Sequence, residues 1–260
     1  MDTGLLRAAM REGDFYPELC AVEECESTNL LARQLALQGA PEGTAVFAGK
    51  QTAGRGRMGR RFQSPAGGGL YMSVLLRPTL PVSEVAVITA CAAVAVAEAV
   101  EELYPLGAEI KWVNDLLLDG RKFCGILTES VLSAGGSSFL VLGIGINVST
   151  DTASFPEEVR RTATSLYAHS GIRQPLEAVA AAVLDRFAAF YRGFPGNLPQ
   201  QRDAYCARLT TLGKMVEIAG EEGCYTAVAV DSRFGLVVER EGLRRTLSSG
   251  EVSVRAREDA

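Results

Sequence analysis

Between Gln51 and Gly59 the chain reads Gln-Thr-Ala-Gly-Arg-Gly-Arg-Met-Gly and continues into Arg60 and Arg61, so four arginines fall within seven positions. Guanidinium groups carry a permanent charge and a planar fork of donors that matches phosphate and carboxylate oxygens. On a glycine scaffold they can order around an arriving anion and exclude water from it. Gly54 to Gly59 also satisfies G-x-G-x-x-G. A dinucleotide fingerprint needs a helix directly afterwards and an acidic residue about 20 positions on. Pro65 and Gly67-Gly68-Gly69 prevent that helix, and the next acidic residue is Glu84. Taken alone, the loop reads equally as an anion clamp or as a solvated basic loop touching nucleic acid.

A second concentration of functional groups lies downstream. Lys111-Trp112-Val113-Asn114-Asp115 is joined to Arg121-Lys122 through Asp119-Gly120, a strong two-residue hairpin signal. Such a hairpin would set Asn114 opposite Gly125 and bracket the turn with two lysines. Other chemistries lack their residues. The six cysteines are scattered without a CxxC pair and His169 is the single histidine, which argues against a zinc site, a disulfide scaffold and Ser/His or Cys/His nucleophiles.

The elements that must position these groups alternate between strand and helix and then become short strands. With 260 residues, 47% of them hydrophobic, the chain has enough apolar side chain for a substantial core. Strand patterns fall at Glu18 to Cys25, Thr44 to Ala48, Leu70 to Leu76, Glu109 to Trp112, Leu116 to Leu118, Lys122 to Glu129 and Phe139 to Val148. Helical patterns fall at Asn29 to Ala36, capped by Ser27 or Thr28, at Val82 to Leu103, and at Glu177 to Tyr191. After Leu209 come Met215 to Ala219, Tyr225 to Val230, Gly235 to Glu239 and Val252 to Val254, which read as a small β-barrel. The expected division is therefore a larger domain over 1–208 and a smaller one over 209–260.

The net charge of −5 disfavours a general nucleic-acid or membrane-surface binder. Val85 to Ala97 is apolar but too short to cross a bilayer, and the N-terminus lacks the basic flank of a signal peptide. A cytoplasmic protein is expected.

Five segments in order resemble the motif set of the biotin protein ligase family. They are Glu26-Ser27-Thr28-Asn29, Gln51 to Gly59, Ser64-Pro65 ahead of Gly69-Leu70-Tyr71, Lys111 to Asp115 with Arg121-Lys122 ahead of Gly125, and Gly143-Ile144-Gly145-Ile146-Asn147-Val148. The resemblance implies an α+β fold of the class II aminoacyl-tRNA synthetase and biotin ligase type. That means a mixed sheet with helices on one side, plus a small C-terminal SH3-like β-barrel. It implies ATP-dependent activation of biotin as biotinyl-5'-AMP, with magnesium accompanying the ATP, and transfer to a lysine of a biotin carboxyl carrier protein. A lipoate or octanoate ligase shares the fold class; the arginine loop together with Lys111 to Asp115 favours biotin.

The resemblance also implies roles. Ser27, Thr28 and Asn29 face the biotin ureido ring, whose donors and acceptor suit small hydroxyl and amide groups, and Gln51 is a further biotin contact. Arg55, Gly56 and Arg57 close over biotin and its adenylate, with Arg60 as a further phosphate contact and Arg61 left to solvent. Phe62 stands where the family often has Trp as a lid for the adenine. Lys122 reaches the biotin carboxylate and the α-phosphate, Lys111 assists, and Gly125 leaves room beside them. Asn114 and Asn147 touch the adenylate. For Asp115 three roles stay open: lowering the pKa of the acceptor amine, holding Lys122, or holding the metal.

Val113 replaces a proline common in the family, which should loosen that loop. The short stretch before the first matching strand leaves no room for an N-terminal helix-turn-helix, so a ligase without DNA binding is expected. A strand edge near Phe139 to Val148 is where two copies would pair into a homodimer.

Overall fold

The strand Ser138–Asn147 sets the architecture. Successive side chains of a strand point to opposite faces, and here Leu140, Leu142, Ile144 and Ile146 enter one hydrophobic cluster while Phe139 and Val141 enter another. Continuing that second face, positions 143 and 145 are both glycine. One side of the strand is packed along its whole length; the other is packed at its start and bare at its end.

The computed structural model describes residues 1–78, 85–132, 138–248 and 252–254. Seven strands form the main sheet: β1 (Leu19–Cys25), β2 (Ala45–Gln51), β3 (Gly69–Leu76), β4 (Glu109–Lys111), β5 (Asp115–Leu118), β6 (Arg121–Leu132) and β7 (Ser138–Asn147). Their order is β1-β2-β3-β7-β6-β5-β4, with β1 and β2 parallel and the other neighbours antiparallel. The helices are α1 (Thr3–Ala9), α2 (Thr28–Leu37), α3 (Val85–Leu103), α4 (Glu157–Arg160), α5 (Leu166–Ser170), α6 (Leu176–Gly193) and α7 (Leu198–Arg208). The start expected for α3 at Val82 lies outside the described residues.

Helices cover both faces, which corrects the expectation of one. α3 is buried nearly all round, as its Ala- and Val-rich text requires, and packs with α6 against the even-numbered face of β7. On the opposite face Ala32 and Ala36 of α2 pack on Val46, Leu75 and Val141. The N-terminus of α2 thereby sits over the sheet beside the bare glycines. β7 lies between β3 and β6, so the edge invoked for a homodimer is not there; the outer strands of this sheet are β1 and β4.

The small C-terminal β-unit is a five-stranded antiparallel sheet of β8 (Met215–Ile218), β9 (Cys224–Val230), β10 (Leu236–Arg240), β11 (Leu243–Leu247) and β12 (Val252–Val254), in the order β11-β10-β9-β8-β12. A register shift between Val237 and Val238 adds curl. Its side chains join the cluster that fills the main sheet's packed face. Phe234, fully buried, meets the Tyr205 ring edge-on with centroids 5.4 Å apart, and its carbonyl accepts from Trp112 Nε1 at 3.0 Å. Tyr205 Oη donates to Val113 O at 3.2 Å. Val113, where the resemblance expects a looser loop than proline would give, is buried and has its carbonyl held by Tyr205. Phe234→Ala should lower unfolding free energy by about 3–5 kcal/mol in urea titrations; a loss under about 1 kcal/mol would deny this contact its structural weight.

Candidate active site

Three glycines make the floor. Gly125 of β6 pairs with Gly145 of β7, and Ser73 of β3 pairs with Gly143. A Cβ on Gly143 would lie 2.2 Å from Asn29 Oδ1, and one on Gly145 2.6 Å from the Phe62 ring. One on Gly125 would stand 3.1 Å from Lys122 Nζ. Side chains from α2 and the arginine loop therefore reach sheet backbone that a Cβ would crowd at Gly143 and Gly145, while at Gly125 the Lys122 side chain would have to give way only slightly.

The corner nearest α2 is polar and buried. Ser27, Thr28 and Asn29 are each at most 5% exposed. Ser27 occupies the cap position yet makes no side-chain cap bond. Gln51 does that work instead: its Oε1 accepts from Thr28 N at 2.8 Å and from Thr28 Oγ1 at 3.2 Å, while its Nε2 donates to Ser64 Oγ at 2.8 Å. Satisfying the orphan amide from outside leaves the Ser27 hydroxyl out of the cap. Ser73 Oγ donates to Asn29 Oδ1 at 2.6 Å and lies 2.8 Å from Thr28 Oγ1. Asn29 Nδ2 donates to Glu129 Oε2 at 2.7 Å, which fixes the amide's orientation.

The opposite end is charged. Lys122 Nζ lies 2.6 Å from Asp115 Oδ1 and 6.0 Å from the centre of the Phe62 ring. Backbone bonds from Lys122 N to Thr162 O and from Thr164 N to Lys122 O hold this strand position from outside the sheet. Lys111 faces Asp115 across β4–β5. The hairpin register differs from the simple expectation: Leu118 pairs with Arg121 and Leu117 with Lys122, but Leu116 pairs with Cys124, leaving Phe123 as an extra residue. That bulge shifts the ladder by one, so Asp115, not Asn114, faces Gly125. Asn114 instead accepts from Arg57 Nη1 at 3.0 Å through Oδ1 and donates to Ile126 O at 2.9 Å through Nδ2.

The arginine loop arches over this floor. Gly56 N donates to Arg60 O and Phe62 N to Gly54 O, folding it on itself around a short turn at Arg57–Gly59. Arg55 Nη1 reaches Glu129 Oε1 at 3.0 Å. Beneath it, burial pushes the Tyr71 phenol up to about 12, so it stays protonated and donates to Pro65 O. A neutral-to-polar corner at one end, fixed cations at the other and an arginine loop above suit an elongated acid whose carboxylate meets a phosphate.

Similar proteins are consistent with that shape. Residues 21–147 match the model of the biotin/lipoate A/B protein ligase family. A biotin--[acetyl-CoA-carboxylase] ligase of Mycobacterium tuberculosis is 33% identical over 251 residues, covering 92% of this chain and 90% of that protein. The chain belongs to the biotin protein ligase family. The bifunctional ligase/repressor BirA of Bacillus subtilis is 42% identical over 168 residues, 65% of this chain; the match spans about half of that relative, 52% of its length. Among solved structures, the biotin protein ligase of Aquifex aeolicus in complex with biotin and ATP superposes with TM-score 0.76 at 30% identity, covering 92% of this chain and 99% of that one.

Within this biotin protein ligase fold, one cavity is lined by Ser27, Thr28, Asn29, Gln51, Arg55, Gly56, Arg57, Arg60, Phe62, Lys111, Asn114, Asp115, Lys122 and Gly125. Arg61, expected in solvent, is exposed but also lines it, with Nη2 donating to Thr52 O at 3.1 Å. Asn147 is the exception. It is 4% exposed, donates to Thr164 O at 3.0 Å, and is not among the lining residues. Its Oδ1 is buried without a hydrogen-bond partner among the described residues. Sequence reasoning missed Ser73 and Glu129. Glu129 could have been found by counting in twos from Gly125 along β6, because Gly125, Leu127 and Glu129 share a face.

Proposed function

We propose that the protein is an ATP-dependent biotin protein ligase. Biotin lies with its ureido ring at the Ser27–Asn29 corner and its carboxylate toward Lys122. A carboxylate oxygen attacks the α-phosphorus of ATP, the bond to the β-phosphate oxygen breaks, and pyrophosphate leaves, giving biotinyl-5'-AMP. Lys122, with Arg57 and Lys111, offsets the repulsion of the two anions and follows charge onto the phosphate. The carrier lysine's amine then attacks the acyl carbon and AMP departs with the electrons of the broken bond. The mixed anhydride is already activated, so no enzyme nucleophile is required.

The observation that carries this reading is the placement of Lys122 over Gly125 at one end of the cavity and the buried Ser-Thr-Asn corner at the other. Of the three roles left open for Asp115, its 2.6 Å contact favours orienting Lys122. Magnesium would arrive with ATP and screen its phosphates. Among the described residues no group of three or more His, Cys, Asp or Glu side chains could cage it, so phosphate oxygens would supply most of its ligands, and Asp115 is a carboxylate that lines the cavity. Phe62 would cover the adenine and Asn114 would reach the adenylate, whereas Asn147, outside the cavity lining, would act only by holding the Thr164 segment. The division at 208/209 into catalytic and C-terminal domains and a cytoplasmic location belong to the same reading; no described helix is long and apolar enough to cross a membrane.

Incubation with ATP, magnesium, biotin and a biotin carboxyl carrier domain should add one biotinyl group to one lysine, seen by mass spectrometry. A carrier with that lysine changed to arginine should gain nothing. Transfer of lipoate or octanoate in place of biotin would move the protein to the other branch of the family.

A further inference from the structure

One carboxylate just behind the cavity lining, bonded to two of its residues, has no part in the steps above. Glu129 of β6 lies opposite Val141 of β7, on a face where the next pair, Val131 and Phe139, is apolar. A carboxylate at such a position costs desolvation unless it is paired. Each of its oxygens has a different partner: Oε1 lies 3.0 Å from Arg55 Nη1, and Oε2 accepts from Asn29 Nδ2 at 2.7 Å. Through Asn29 the chain of contacts runs on to Ser73, Thr28 and Gln51. The loop's bonds at Gly56 and Phe62 close it on itself; Arg57 ties it to Asn114 beside β5, and Arg55 ties it to Glu129 on β6.

We infer that Glu129 is a positioning residue that tethers the arginine loop to the Asn29 corner. One carboxylate sets both where Arg55 stands and which way the Asn29 amide faces, so acid recognition and loop position are linked. In the biotin reading, on which the substrate half of this inference rests, that link lowers the KM for biotin without touching the adenylation step. The pair is partly exposed, 45% for Arg55 and 30% for Glu129, so it adds little to global stability.

Glu129→Gln keeps the shape and an acceptor for Asn29 but removes the charge facing Arg55. Without ligand, trypsin cuts at Arg57, Arg60 and Arg61, located by mass spectrometry, should accelerate about tenfold while the melting curve stays in place. The KM for biotin should rise about tenfold, with kcat and the KM for ATP within about twofold of wild type. Arg55→Gln breaks the same pair from the exposed loop; because Arg55 also lines the cavity, it carries only the ligand-free proteolysis arm of the test if Glu129→Gln folds poorly. The double variant should be cut no faster than either single one. Unchanged cutting, additive effects, or a fall in kcat at constant KM would overturn the tether. Because the proteolysis needs no biotin, faster cutting in a chain that never biotinylates would sustain the tether and remove only the substrate reading.

Discussion

Lys122→Ala is expected to reduce the rate of biotinyl-5'-AMP formation by about a thousandfold, with the fold intact. The ammonium stands against Gly125 on the cavity floor, held at Asp115 Oδ1 and backed by the backbone bonds that its strand position makes to Thr162 and Thr164. Two anions must approach within bonding distance there, and a fixed charge that needs no reorganisation is worth several kcal/mol in such a site. Removal leaves Asp115 facing the incoming carboxylate with no counter-charge from β6, so the ground state suffers too. Single-turnover assays should show the loss mainly in the chemical step, with ATP affinity changed far less. A rate within about tenfold of wild type would take the central role away from Lys122.

Gly143→Ala is expected to weaken biotin binding about a hundredfold by titration calorimetry. Its added Cβ would stand 2.2 Å from Asn29 Oδ1, closer than real contacts allow. Asn29 cannot withdraw without breaking its bonds to Ser73 and Glu129, so the whole corner moves. Gly145→Ala meets the Phe62 ring at 2.6 Å instead, and a ring can turn aside. That variant should keep biotin within about fivefold and lose ATP affinity, because the displaced ring is the proposed adenine lid. Equal losses of both ligands in both variants would mean that the glycines matter for the strand rather than for the cavity.

These contrasts mark how far the sequence alone could be read. The arginine loop, the lysine hairpin and the Ser-Thr-Asn corner announce themselves by residue type and spacing, and the structure gathers them in one cavity. Strand periodicity says which residues share a face, but it is silent on which strands are neighbours. β7 therefore looked like an edge although it is central, and Glu129 stayed hidden although it shares the face of Gly125. The bulge at Phe123 moves the register by one residue and cannot be inferred from a hairpin turn alone. β11 was missed because Leu-Arg-Arg-Thr-Leu is a largely exposed end strand, whose charged text lacks the usual alternation. α2 on the second face follows from where its two alanines find apolar partners, a tertiary fact. Asn147 shows the reverse: its type and motif drew attention to it, yet its side chain faces Thr164.

The most direct test is to mix the protein with ATP and magnesium and offer biotin, lipoate and octanoate separately, reading the acyl-adenylate by mass spectrometry. Biotinyl-5'-AMP should accumulate with wild type and fail to do so with Lys122→Ala. An adenylate formed with lipoate or octanoate but not with biotin, or none with any acid, would contradict the account.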